Sequence, residues 1–386
     1  MAACRWGAGA VLVAVLLVLA GVTPPAAAPQ PNQGAGRART AASSGATGGI
    51  VEAGARRDDG ADEWVLGATA LATTRDGGER WTLLSPPTTE TGTLTAAVLP
   101  RETVAVTVRE ARRPQLFIYA RPAGHSRWRK TTIAIGQPPG PAEVVDDSGR
   151  VLGVMDNAFL GSAFSGGTWL AKKGAAWRAR RTPVGGSVTA VGGRLWLVGG
   201  VVGADVYASA NDGRSWRRVR SPLLGPRRTQ TVYGAMQAFR GKPVLLAANN
   251  AGAIVVYVGS ERQGSWSWHG LHRFRPGGCC GTGTDSLAAG TLWVVGASQR
   301  VTRISLRSGA AVVTSAQGLP ENGQLSLFAL GSQTAIAYAV AAGCTDGKSD
   351  CYELPELLRT DDGGSTWSPI ADPLGGHYEQ LAWGSR

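Results

Sequence analysis

His269 and His272, followed by Cys279 and Cys280, carry the nitrogen and sulfur atoms a zinc ion prefers. The H-G-L-H spacing adjoins a Trp-rich stretch and a Gly-rich turn, not a helix that would bring both imidazoles to one side. These residues therefore read as polar positions on a hairpin, with no metal expected. Asp346 and Asp350 flank Gly347, and carboxylates in a closed loop can hold calcium, but too few oxygen ligands are in view for a full binding loop. They read as solvated turn residues. Asp146 and Asp147 before Gly149 read as a further turn. The chain has no G-x-x-x-x-G-K-[ST] phosphate loop, no G-x-S-x-G elbow and no H-E-x-x-H helix, so no cofactor is expected and catalytic residues stay unassigned.

The strongest pattern is structural. Thr360, Asp362, Gly364, Thr366 and Trp367 stand in TDDGGSTW; Ser209, Asn211, Gly213, Ser215 and Trp216 in SANDGRSW; Thr74, Asp76, Gly78 and Trp81 in TRDGGERW. An Asp or Asn at the third place can fold onto the N–H groups of a tight turn, and the Gly at the fifth supplies a positive φ. The hydroxyl at the first place adds a hydrogen bond, and the Trp starts the return strand with a large ring to bury. Each phrase reads as the closing turn of a β-hairpin.

This phrase resembles the Asp-box of sialidase-like β-propellers, also called the BNR repeat, written S/T-x-D-x-G-x-T/S-W. Asn211 replaces the Asp in one copy, and Arg80 occupies the usual hydroxyl position in another. In that family the box is a fold element away from the catalytic face, so the resemblance implies a propeller more than an enzyme. Sialidases resemble one another in an Arg triad that clamps a carboxylate, a Tyr activated by Glu, and an Asp acid, with the first Arg in an F/Y-R-I-P phrase before the first box. Arg56 and Arg57 precede Trp81 without the aromatic or the proline; Phe274, Arg275 and Pro276 are an echo out of order, and Tyr119 to Pro122 a poorer one. The expectation is a binding module without demonstrated catalysis. Its rivals are an exo-acting glycoside hydrolase, which needs two suitably spaced carboxylates, and an assembly factor for a membrane-protein client, after the seven-bladed photosystem factors that the repeats also resemble.

The chain has 386 residues, a formal net charge of +12 and a pI near 10.0. Its arginines look scattered: Arg109, Arg112 and Arg113; Arg178, Arg180 and Arg181; Arg217, Arg218, Arg220, Arg227 and Arg228. They read mainly as solvated strand ends and loops, with no specific nucleic-acid signature, and in part as a patch for an acidic glycan or acidic protein on one propeller face. Residues 1–28 read as a signal peptide: Arg5, then the apolar run Ala10 to Val22, then Ala26 to Ala28. An exported protein, secreted or at the cell surface, is expected, with no membrane span in the mature chain. Outside that leader stand Cys279, Cys280, Cys344 and Cys351, which permit three disulfide pairings that stay open. Cys344 with Cys351 would close as a hairpin staple.

Residues 29–62 are rich in Ala, Gly, Arg, Ser and Thr and read as a disordered tether. From Glu63 onward, tryptophans at 81, 128, 177, 216, 266 or 268, and 367 recur at roughly 40 to 50 residues, with one double interval. A second phrase, Trp64 to Gly67, Leu195 to Gly199 and Leu292 to Gly296, reads as a recurring inner strand. Units starting near Glu63, Thr95, Ala142, Ser187, Gln230, Thr284 and Asn322 give an all-β, single seven-bladed β-propeller over 63–386. Blade one reads as lacking an inner strand, and His377 to Gly384 is expected to pair beside Trp64 and close the ring.

Overall fold

Two-residue turns set the pattern of this fold. Gly192 and Gly193 have φ values of 60° and 72°, and Ala289 and Gly290 have 48° and 75°. Two successive positive φ angles make a type I′ turn, whose twist matches that of the strands it joins and holds a tight antiparallel hairpin. A computed structural model describes residues 50–55, 63–67, 70–84, 86–87, 94–109, 114–135, 142–147, 150–156, 166–174, 176–199, 205–222, 233–248, 253–274, 284–296, 299–320, 323–344 and 351–373.

The described strands form four-stranded antiparallel sheets, each taking its strands in chain order. Sheet one holds β1 (Ile50–Ala55), β2 (Glu63–Gly67), β3 (Leu71–Thr74) and β4 (Thr82–Leu83). Sheet two holds β5 (Leu94–Val98), β6 (Glu102–Arg109), β7 (Gln115–Pro122) and β8 (Arg129–Ala134). Sheet three holds β9 (Ala142–Asp147), β10 (Arg150–Asp156), β11 (Thr168–Lys173) and β12 (Ala176–Arg181). Sheet four holds β13 (Gly186–Val191), β14 (Arg194–Gly199), β15 (Asp205–Ser209) and β16 (Arg217–Arg218). Sheet five holds β17 (Tyr233–Phe239), β18 (Lys242–Ala248), β19 (Ile254–Arg262) and β20 (Ser265–Phe274). Sheet six holds β21 (Thr284–Ala288), β22 (Thr291–Val295), β23 (Arg300–Ser305) and β24 (Ala311–Ser315). Sheet seven holds β25 (Gly323–Ala329), β26 (Ala335–Cys344), β27 (Cys351–Thr360) and β28 (Ser368–Pro369).

Burial separates the strands within a sheet. The second strands β6, β14 and β22 are almost wholly buried, whereas β8, β12 and β24 are largely exposed. First strands touch the first strands of neighbouring sheets, as β5 does β9, β9 does β13, and β25 does both β21 and β1. The first strand is therefore innermost and the fourth outermost.

Alternation along each strand feeds two neighbours at once. In β22, Leu292 and Val294 pack toward sheet five while Trp293 and Val295 pack toward sheet seven. Such doubly buried strands read as unbroken apolar runs. The apolar clusters follow the sheets in cyclic order: Leu71 with Phe117 between one and two, Ile118 with Val154 between two and three, and Trp169 with Leu197 between three and four. Val206 with Leu245, Ile304 with Val244, and Val301 with Leu358 continue the series, and Ala72 with Tyr338 returns from seven to one. This is an all-β β-propeller fold.

Three expectations are corrected. Ile50–Ala55, inside the stretch expected as a tether, is β1, paired with β2 from Ile50↔Gly67 to Ala55↔Glu63. With β3 on its other side, β2 has no seat left for the C-terminal segment, so that segment does not close sheet one beside Trp64. The phrases at Trp64, Trp196 and Trp293 lie on second strands and not on the innermost ones. Residues 1–49, Cys279, Cys280 and His377 to Gly384 lie outside the described residues.

Candidate functional site

The three repeated turns occupy the connection from third to fourth strand in sheets one, four and seven. Thr360 Oγ1 donates to Asp362 Oδ1 at 2.9 Å and accepts the Gly364 N–H at 2.9 Å. Asp362 Oδ1 accepts the N–H groups of Ser365 and Thr366, each at 3.0 Å, and Oδ2 accepts the Thr366 hydroxyl at 2.6 Å. These bonds, the Thr366 hydroxyl foremost and then its amide, lower the Asp362 pKa to about 2. Asn211 serves the same turn without charge: its Oδ1 accepts the Ser215 N–H at 2.9 Å and its Nδ2 donates to Ser215 Oγ at 2.9 Å. In the first copy, Thr74 Oγ1 donates to Asp76 at 2.7 Å and the Arg80 N–H at 2.9 Å. Those two bonds, in that order, hold the Asp76 carboxyl below its usual value.

The turns also dock onto the sheet before them. Trp169 Nε1 of sheet three donates to the Asp212 carbonyl at 3.0 Å, and the Arg180 guanidinium bonds the same carbonyl. Gly213, at φ 79°, lies flat on the Trp169 indole; a Cβ there would sit 2.8 Å from Nε1. Gly364 covers Val301 of sheet six, and Gly78 covers Ile370, just past β28. The Asp and Asn side chains are thus committed to their turns. The links to the neighbouring sheet are made by the Asp212 carbonyl and the turn glycines.

Of the other candidate groupings, Cys279, Cys280, Asp346 and Asp350 lie outside the described residues. Among the described residues no three His, Cys, Asp or Glu side chains come together to hold a metal. His269 and His272 lie on β20, the outer strand of sheet five, with the His272 ring 5.9 Å from Phe274. Tyr119 is 1% exposed, which removes the Tyr119 to Pro122 echo from any open site. Cys344 and Cys351 stand opposite each other as the last pair of the β26–β27 ladder.

Charge is distributed very unevenly around the ring. The third-to-fourth-strand hairpins of sheets two to five, residues 115–134, 168–181, 205–218 and 254–274, hold fourteen Arg and Lys against three acids, a balance of +11. The corresponding hairpin of sheet six, residues 300–315, holds three Arg and no acid, whereas those of sheets seven and one, residues 351–369 and 71–83, together hold three cations against six acids. Two of the three acids on the basic side are already engaged: Asp205 pairs with Arg218, and Glu261 reaches Arg194 at 2.9 Å. Arg127, Arg129, Arg178, Arg217 and Arg273 are exposed. The outer strands β8, β12, β16 and β20 contain no acid. Of the fourteen cations on the hairpins of sheets two to five, eight lie on the outer strands β8, β12, β16 and β20. The single signal available in the sequence, Arg clusters at intervals close to one unit, was present but looked like scatter.

No protein-family model matches the chain, and no curated protein matches it. Among solved structures, YCF48 bound to D1 peptide is 12% identical, with 84% of this chain and 94% of that chain covered and a TM-score of 0.47. YCF48 from Cyanidioschyzon merolae is 13% identical over 86% and 87% of the two chains, with a TM-score of 0.36. The β-propeller domain of Cps50 (Swd1) from Myceliophthora thermophila is 8% identical over 82% of this chain and 98% of that one, with a TM-score of 0.51. What this chain shares with the Cps50 domain is its fold, the β-propeller.

Proposed function

We propose that this chain is an exported, sialidase-like β-propeller of seven blades that acts as a binding module for acidic glycans or acidic protein surfaces, without demonstrated catalysis. The cyclic series of apolar clusters supports the blade count, and the Thr360, Ser209 and Thr74 turn bonds support the Asp-box resemblance. The observation that carries the binding function is the +11 balance on the outer hairpins of sheets two to five, close to the +12 of the whole chain. A surface of one sign draws in ligands of the other and speeds their encounter. Arg predominates there, and its planar fork matches carboxylate and sulfate oxygens.

The test is binding of the purified protein to a sulfated polysaccharide and to a neutral one, followed over a salt series. Affinity for the sulfated polymer should fall steeply between roughly 50 and 200 mM salt, where screening shortens to about 8 Å. Equal affinity for the neutral polymer, or binding indifferent to salt, overturns the proposal.

A further inference from the structure

Four consecutive outer strands carry the charge, and this geometry sets the shape of what they hold. Resting on the acidic-ligand reading above, we infer that the partner is a linear acidic polysaccharide lying along the outer rim across β8, β12, β16 and β20, not a compact ligand at the ring's centre. Sheets stack about 10 Å apart, so four outer strands cover three intervals, at least roughly 30 Å. A small acidic ligand reaches the cations of one sheet. An extended chain reaches Arg129, Arg178, Arg217 and Arg273, one from each sheet, at once. Each further contact is then made within an existing complex, so affinity climbs with chain length until the fourth sheet is engaged.

The rim favours a sugar polymer over a nucleic acid. Sequence-tolerant binding of single strands uses exposed aromatic rings on which bases stack. Here Trp128, Trp177, Trp216, Trp266 and Trp268 are turned against the apolar clusters between sheets. Trp196 further clamps Trp266 edge-on at 4.5 Å between centroids. Among the described residues there is also no helix to enter a duplex groove. Guanidinium groups without a stacking platform suit sulfates and carboxylates spaced along a chain.

The experiment measures Kd by fluorescence anisotropy for a ladder of heparin-type fragments, from disaccharide upward, and for single-stranded and duplex DNA of matching charge. Three proteins are compared: wild type, Arg178→Glu/Arg217→Glu, and Arg80→Glu as a control on the hairpin of sheet one, where two Arg face two acids. All three substituted positions are exposed, and near-ultraviolet circular dichroism checks folding. Affinity should rise with fragment length and level off, at least about tenfold above the shortest fragment. The double variant should bind the long fragment at least about tenfold more weakly, with a salt slope lower by about 2, and the control should change less than about twofold. Salt-sensitive binding that is independent of length, or that Arg80→Glu weakens as much as the double variant, overturns the rim assignment while the acidic-ligand reading stands. Tighter binding of DNA than of glycan at equal charge overturns the polysaccharide. No salt-sensitive binding to any of these polymers overturns both.

Discussion

Gly213→Ala is expected to be far more damaging than Gly124→Ala, although both glycines sit in third-to-fourth-strand turns at nearly equal φ, 79° and 75°. An alanine in the left-handed region costs about 1–2 kcal/mol at either place. At Gly124 nothing lies within 4 Å of the new methyl, so that is the whole cost. At Gly213 the methyl overlaps the fully buried Trp169 ring. Displacing a packed indole adds about 1–3 kcal/mol. Losing the Trp169 Nε1 bond to the Asp212 carbonyl adds about 1 kcal/mol more. The sum is about 3–6 kcal/mol at Gly213, a difference of about 2–4 kcal/mol between the two variants. Urea unfolding followed by tryptophan fluorescence reads this as a shift in midpoint at unchanged slope. A Trp169→Phe change in the Gly213→Ala background should recover part of the loss, since the smaller ring makes room. Equal midpoints for the two alanine variants, or no recovery with Phe, would refute the view that these turns latch one sheet to the next.

Asp362→Asn should cost less than about 1 kcal/mol, because Asn211 already holds the same turn in sheet four, whereas Asp362→Ala should cost about 1–2 kcal/mol, as loss of a backbone cap does. The Asp362 pKa is lowered to about 2 from 3.8. Its charge therefore contributes stability that is present above pH 3.8 and lost as pH falls through about 2. The stability gap between wild type and Asp362→Asn should accordingly narrow between pH 4 and pH 2 in acid titrations at fixed urea. Ala289→Asn relieves a non-glycine at φ 48° in an exposed type I′ turn and should stabilise by about 0.5–1 kcal/mol in the same assay. Trp293→Phe should destabilise by about 1–3 kcal/mol, through lost contact area and the lost bond from Nε1 to the Gly331 carbonyl at 2.9 Å.

Much of the fold could be read from short-range chemistry. Asp362 and Gly364 announce their turn because the carboxylate has amides to cap and the backbone needs a positive φ, and both demands act within eight residues. The outer strands were findable for the same reason, since Trp81, Trp216 and Trp367 stand immediately before β4, β16 and β28. What escaped depends on contacts distant in sequence. Ile50–Ala55 is IVEAGA, with too few large apolar residues to look like a strand, and it becomes one by pairing with Glu63–Gly67. The bulky Trp196 and Trp293 suggested innermost strands, but they stand one strand out, where each ring packs between neighbouring sheets. The candidate surface was hidden in the same way. Arg129, Arg178 and Arg217 are about one repeat apart along the chain and become neighbours only when successive sheets are stacked side by side.

The join between sheets seven and one is made by side chains alone among the described residues. Ala70 and Ala72 meet Ile336, Tyr338 and Leu357 there, and Ile370 tucks under Gly78. Among the described residues no strand crosses from one sheet to complete the other, so there the hoop is fastened by a press-stud and not sewn. Amide exchange is therefore expected to be quickest along β3 and β27.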